Sequence, residues 1–214
     1  KVIYEDLVYV LNEEDKTATV VDHKQHHPFI YIPKYIIINS LLYLITSIAE
    51  CAFRFGSLKT LVISQFAKIR SIGENAFCDS SIESLQIPSS VSDLNKYWNN
   101  ELYYLKEIKV IDTKERNIKY IDNKYLVGKS NKKSDVFDVL LFAWRDIEEA
   151  IIPPQITRIA SNAFAYCQKL EKITISNNCK LQTIEDNAFI NSSVKYIEIP
   201  SNIINLMSDW YNGM

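Results

Sequence analysis

Ile69-Arg70-Ser71-Ile72-Gly73-Glu74-Asn75-Ala76-Phe77 returns, 112 residues later, as Leu181-Gln182-Thr183-Ile184-Glu185-Asp186-Asn187-Ala188-Phe189, and this recurrence decides the fold. The surrounding segments Lys68–Asn100 and Lys180–Asn212 align without gaps and share 13 of 33 residues. Upstream, Ile45-Thr46-Ser47-Ile48-Ala49 matches Ile156-Thr157-Arg158-Ile159-Ala160, and Ala52-Phe53 and Ala163-Phe164 follow. The chain therefore holds two copies of one block.

A shorter period runs inside each block. The unit reads I-x-x-I-x-x-x-A-F, a turn, then L-x-x-I-x-I, often closed by Pro. Copies begin near Ile45, Ile69, Ile156 and Leu181, 24 or 25 residues apart within a block. Trp98 and Trp210 stand where looser copies would carry Ala-Phe, and are read as interior residues. A period of 20 to 29 residues with apolar anchors is the leucine-rich-repeat signature. In Leu58-Lys59-Thr60-Leu61-Val62-Ile63, Leu61 and Ile63 face one way and Thr60 and Val62 the other, as a strand requires. So short a strand buries its apolar face only when the next repeat stacks on it. Pro33, Pro88, Pro153 and Pro200 each follow such a strand. The expected fold is a leucine-rich-repeat solenoid, an α/β repeat with a parallel strand ladder and short helical turns at Ala-Phe. With only four Gly, Asn and Ser are expected to make most turns.

Two segments break the rhythm and read as β-hairpins. One places Leu7–Leu11 and Thr17–Val21 around the polar run Asn12–Lys16; the other pairs Tyr125–Gly128 with Phe137–Trp144 around Lys129–Asp135. The expected organisation of 1–214 is one continuous solenoid. A hairpin cap occupies 1–35, repeat blocks occupy 36–111 and 148–214, and a hairpin insertion occupies 112–147.

The 214 residues are 47% apolar and 23% charged with a net charge of −2, ordinary for a folded chain. No basic excess points to nucleic acid or to an anionic membrane. The most apolar run, Tyr35–Ile45, is interrupted by Asn39 and Ser40 and is too short to span a bilayer. Cys51, Cys78, Cys167 and Cys179 form no CxxC and read as free thiols.

The strings Ile156–Cys167, Ile45–Phe53 and Ser81–Ser89 resemble the BspA-like leucine-rich repeat family, and Tyr125–Ser130 with Asp138–Ala143 resembles the hairpin that interrupts some of its arrays. Members are often surface or secreted proteins of mucosal bacteria and parasitic protists, associated with adhesion to host cells, matrix proteins or other microbes. The resemblance implies a cell-surface or secreted, non-enzymatic module that binds protein and takes part in host contact. Cys51, where other copies have Asn, departs from the pattern.

The outward row of the ladder is the expected binding surface: Thr60 and Val62, Ser84 and Gln86, Glu107 and Lys109, Glu149 and Ile151, Lys172 and Thr174, Tyr196 and Glu198. Its mixed charge suits a protein partner rather than a polyanion, and Val62, Ile151 and Tyr196 are the candidate anchors. His23, His26 and His27 read as one solvated loop rather than a metal site, and Lys129–Lys133 as a solvated hairpin tip. No cofactor or metal is expected. No phosphate-binding glycine loop, G-x-S-x-G or His-Glu-x-x-His occurs. Asn191-Ser192-Ser193 is a glycosylation sequon in an accessible turn. Free thiols favour the rival reading, an intracellular scaffold for a partner of the same cell. The unit in progress at Met214 stops part-way, so continuation of the chain or self-association through the repeat ends is expected.

Overall fold

The computed structural model describes residues 1–213, which fall into two compact units divided between Arg116 and Asn117. In the first unit, β1 (Val2–Tyr4), β2 (Leu7–Asn12) and β3 (Thr17–His23) form an antiparallel meander. Asn12 closes the β2–β3 turn by accepting hydrogen bonds at its side-chain oxygen from the amides of Glu14 and Asp15. Next come β4 (Phe29–Ile32), β5 (Tyr35–Ile38), β6 (Leu41–Ile48), β7 (Thr60–Ile63), β8 (Ser71–Ile72), β9 (Ser84–Pro88), β10 (Asp93–Leu94) and β11 (Glu107–Ile111). They sort into two sheets. The first has the order β1-β2-β3-β6-β8-β10, with β5 hairpinned onto β6, and the second is the all-parallel set β11-β9-β7-β4.

The second unit repeats the plan. An antiparallel start of β12 (Ile118–Ile121), β13 (Tyr125–Gly128) and β14 (Val139–Ala143) leads into β15 (Glu149–Ile152), β16 (Arg158–Ile159), β17 (Lys172–Ile175), β18 (Thr183–Ile184), β19 (Tyr196–Ile197) and β20 (Asn205–Leu206). Its sheets run β12-β13-β14-β16-β18-β20 and β15-β17-β19. Each unit is thus a short solenoid whose turns alternate between two sheets, entered through an antiparallel hairpin.

Apolar alternation fills the space between the sheets. Leu61, Ile63, Leu85 and Ile87 in the first unit and Ala150, Ile152, Ile173 and Ile175 in the second are buried. Each large aliphatic among them contributes about 1.5–3 kcal/mol. The motif phenylalanines form an aromatic column through each unit. His23, Phe53, Phe77 and Trp98 follow one another with ring centroids 5.2, 5.8 and 6.4 Å apart. Tyr125, Phe164, Phe189 and Trp210 do the same at 6.3, 5.2 and 5.9 Å. Both columns begin on a hairpin residue and reach a tryptophan set edge-on; Trp98 is an interior residue, whereas Trp210 is only partly buried against the core of its unit.

Two expectations are corrected. The Ala-Phe segments are not helical: among the described residues no helix occurs, and 74–79, 161–166 and 186–191 are hydrogen-bonded turns. The cause is chirality. Cys51, Asn75, Asn162 and Asn187 immediately precede the Ala and take φ of 51–59°, and Phe55, Asp79, Tyr166 and Asn191, four residues on, take 53–63°. Left-handed residues at both ends stop a right-handed helix and free the peptide groups between them to pair with the next turn. The Phe53 amide donates to the Ala76 carbonyl (2.8 Å), Phe164 to Ala188 (2.7 Å) and Phe189 to Trp210 (3.2 Å). The wall expected to be helical is therefore a second backbone ladder.

His23 is the other correction. It does not share an exposed loop with His26 and His27. It ends β3, is 5% exposed, and donates from Nδ1 to the Ala52 carbonyl at 3.1 Å. β-Alternation turns it inward onto Phe53, whereas His26 and His27 lie outside.

Candidate binding surface

The exposed side of each parallel sheet is built by register. In the first unit Phe29, Thr60, Ser84 and Glu107 lie side by side, as do Tyr31, Val62, Gln86 and Lys109 one pleat along. In the second, Glu149, Lys172 and Tyr196 are neighbours, and Ile151 sits beside Thr174. Glu198 follows β19 directly and is exposed. Thr60, Val62, Ser84 and Gln86 are half-buried, and the other predicted residues are exposed. Every one therefore points away from the core.

The two faces differ in character. The first unit's sheet carries Phe29 at 54% and Tyr31 at 48% exposure beside Val62, an aromatic strip at one edge. It then passes into polar ground, where Ser84 donates its hydroxyl to Glu107 at 3.1 Å. Phe29 and Tyr31 were absent from the predicted row, although Phe29-Ile30-Tyr31-Ile32-Pro33 has the alternation and closing proline of the strands that were used. The second unit's sheet exposes Ile151 at 65% and Tyr196 at 74%. There Glu149, Lys172 and Tyr196 join Glu148, Gln168, Lys169 and Glu171 around an open depression of about 700 Å³.

Charges bordering these faces are paired rung to rung. Glu83 accepts from Lys59 at 2.9 Å and from Lys106 at 2.6 Å, and these two ammonium groups hold its carboxyl down at about 2. Lys195 reaches Glu171 at 2.6 Å. Glu149, Lys172 and Lys109 enter no ion pair within 4.0 Å among the described residues, which leaves them available to a partner.

The remaining candidates separate from this surface. Lys132 and Lys133 are exposed at the β13–β14 turn. The turn is pinned by Asp138, which accepts from the Ser130 amide (2.8 Å) and hydroxyl (2.5 Å) and from Thr157 Oγ1 (3.1 Å). Asn191 is exposed. All four cysteines are free. Cys78, Asp79 and Glu101 bring one potential ligand atom each within 4.8 Å of one another, but Cys78 already donates to Glu101 at 2.6 Å. Burial, with Glu101 next, pushes its thiol up to about 12.

The family comparison agrees with this architecture. A family model described as BspA type leucine rich repeat region matches residues 34–137 and 137–213, in six copies. No curated protein sequence matches the chain. Among solved structures, the leucine rich repeat protein of T. pallidum is similar with a TM-score of 0.52 at 14% identity, over 97% of this chain and 83% of that one. The pneumococcal vaccine antigen PcpA gives 0.48 at 17% identity, over 100% and 79%. A leucine rich cell surface protein of Faecalibacterium prausnitzii A2-165 gives 0.45 at 16%, over 99% and 86%.

Proposed function

We propose, from the premise that the chain belongs to the BspA-type leucine-rich repeat family, that it is a non-enzymatic module whose exposed parallel sheets bind a protein. The partner is a host-cell or extracellular-matrix protein, met at the surface of the producing cell or after secretion. The observation that carries this reading is the set of exposed apolar groups fixed on paired strands, Phe29 and Tyr31 in one unit and Ile151 and Tyr196 in the other. Rigid aromatic side chains lose little entropy on docking and are enriched at interface hot spots, and Ile151 adds exposed apolar area in the second unit. Thr60, Val62, Ser84, Gln86, Glu107, Lys109, Glu149, Lys172, Thr174 and Glu198 supply the polar complement. Self-association through exposed Ile204, Leu206 and Met207 belongs to the same reading.

The test is binding of labelled protein to epithelial cells and to a panel of matrix proteins. The comparison is a folded variant with Phe29, Tyr31, Thr60, Gln86, Lys172, Tyr196 and Glu198 changed to Ala. Saturable binding abolished in the variant supports the reading. Saturable binding kept in the variant refutes the sheets as the contact surface. No saturable binding to any of these targets refutes the host-directed reading.

One observation favours a second reading, an intracellular scaffold: Cys51, Cys78, Cys167 and Cys179 are all unpaired, which suits a reducing compartment. Glycan on Asn191, detected by mass spectrometry of protein from its native source, excludes that alternative. Purely cytosolic fractionation supports it.

A further inference from the structure

Three loops that follow the strands of the first unit's parallel sheet converge on a groove of about 230 Å³. After β7 the chain supplies Phe66, Lys68 and Arg70, after β9 Ser90, and after β11 Thr113 and Lys114. The loops are braced. Ser64 fixes the first by accepting at its hydroxyl from the Phe66 amide (3.2 Å) and at its carbonyl from Ala67 (3.0 Å). Ser89 ties the third to the second, accepting from the Thr113 amide at 2.9 Å and donating to the Glu115 carbonyl at 3.2 Å.

The lining has an unusual balance. Lys68, Arg70 and Lys114 bring three positive charges against the single carboxylate of Glu115. Among the described residues none of the three cations enters an ion pair within 4.0 Å, whereas nearby Arg116 is engaged with Asp112 at 3.2 Å. Phe66 stands 66% exposed, its ring uncovered beside these charges.

The second unit offers a comparison for the first two of these loops. The residues equivalent to Phe66, Arg70 and Ser90 are Asn178, Gln182 and Asn202. Asn202 donates its amide across the loop to the carbonyls of Cys179 (3.1 Å) and Leu181 (3.0 Å). In the first unit the shorter Ser90 takes that position and the loop gains an aromatic and a guanidinium. Phe66, Arg70 and Ser90 therefore depart from the repeat, whereas Lys68 recurs as Lys180.

We propose that this groove binds an anionic sugar residue, a pyranose bearing a carboxylate. Arg70 offers a planar fork to the carboxylate, and Lys68 and Lys114 supply the surrounding positive field. Phe66 presents a face for the C–H side of the ring, while the Thr113 hydroxyl donates to the Glu115 carbonyl at 2.7 Å and holds the third loop in place. The volume equals that of about eight waters at ~30 Å³ each, which suits one six-membered ring and exceeds what a bare phosphate fills. This site stands apart from the sheet faces, and its success or failure is independent of theirs.

The experiment is titration of ¹⁵N-labelled protein with methyl glucuronide to about 10 mM, with methyl glucoside and inorganic phosphate in parallel arms. A ligand of about 13 heavy atoms at ~0.3 kcal/mol each corresponds to a Kd of about 1 mM. Saturable shifts confined to residues 64–70, 89–92 and 112–116 are expected with the glucuronide and not with the glucoside. Arg70→Gln and Phe66→Asn install the second unit's own residues and so preserve the fold. Each is expected to weaken the glucuronide about tenfold or more. Absence of glucuronide shifts, equal shifts with the glucoside, phosphate binding at least as tightly, or unchanged affinity in both variants overturns the proposal.

Discussion

Replacing Phe77 by Ala tests the aromatic column as the spine of the first unit. Phe77 is fully buried, with its ring stacked on Phe53 at 5.8 Å and set against the edge of Trp98 at 6.4 Å. Truncation removes a whole ring from a site whose walls are backbone ladders on both sides, so the cavity collapses little. Buried Phe→Ala changes cost about 3–5 kcal/mol, and the two ring contacts put this site in the upper half of that range. A domain is stable by only about 5–15 kcal/mol, so 4 kcal/mol is a large share. With a urea slope of about 2 kcal/mol/M, the unfolding midpoint should fall by about 2 M. Urea unfolding followed by far-UV circular dichroism reads the shift. Phe66→Ala is the control, because that ring is 66% exposed and its loss should cost under about 0.5 kcal/mol. If Phe77→Ala shifts the midpoint no more than Phe66→Ala does, the column is not what holds the repeats together.

Four further outcomes follow from the same structure. Gly73→Ala should destabilise by about 1–3 kcal/mol, since its new Cβ would lie 2.4 Å from the Glu50 nitrogen; calorimetry checks it, and a neutral result refutes so close an approach of the two turns. Cys51→Asn should raise the melting temperature by a few degrees, because Asn tolerates the left-handed φ of 55° better than Cys does. Timed labelling with iodoacetamide should modify Cys51 first: it is half-buried, whereas Cys78, Cys167 and Cys179 are buried and burial raises their thiol pKa values. At Asp138 burial opposes ionisation, but hydrogen bonds from Ser130 and Thr157 outweigh it and the carboxyl pKa is lowered. The stability this gives is present above the unfolded value near ~3.9 and is lost as pH falls through the folded one, so amide exchange of the Ser130 loop at pH 6 should be slower in wild type than in Asp138→Ala.

The anchors were legible because burial constrains them to a few residue types at a fixed spacing. Ile72, Phe77, Leu85 and Ile87 each occupy the interior that their period assigns. The handedness of the turn was not legible from that period. Asn-Ala-Phe satisfies helical spacing as well as a tight turn, and only the left-handed φ at Asn75 and its counterparts separates the two. Asn39-Ser40 carried a signal that went unused. Both residues are left-handed, at φ 50° and 63°, and they close the two-residue hairpin between β5 and β6. His23 was misplaced for want of one strand boundary, since β3 runs two residues beyond the predicted Val21. The groove could not be read at all, because Phe66, Ser90 and Lys114 meet only when three successive turns are stacked.

The internal duplication separates what the fold demands from what it leaves free. Along the parallel sheets the inward residues Leu61, Ile63, Leu85 and Ile87 correspond to Ile173, Ile175, Ile197 and Ile199, a nearly unchanged set. The outward residues between them, Thr60, Val62, Ser84 and Gln86, correspond to Lys172, Thr174, Tyr196 and Glu198, with no identity. At the border, Lys59 pairs with Glu83 at 2.9 Å, and the equivalent Glu171 pairs with Lys195 at 2.6 Å, the same contact with its polarity reversed. An exposed ion pair adds at most about 1 kcal/mol to stability, so either sign serves the fold. What the reversal does change is the potential a partner meets at the edge of each sheet. The fold therefore leaves the charge order beside each face free, next to the exposed Phe29 and Tyr31 in one unit and Ile151 and Tyr196 in the other, the residues on which the proposed contact rests.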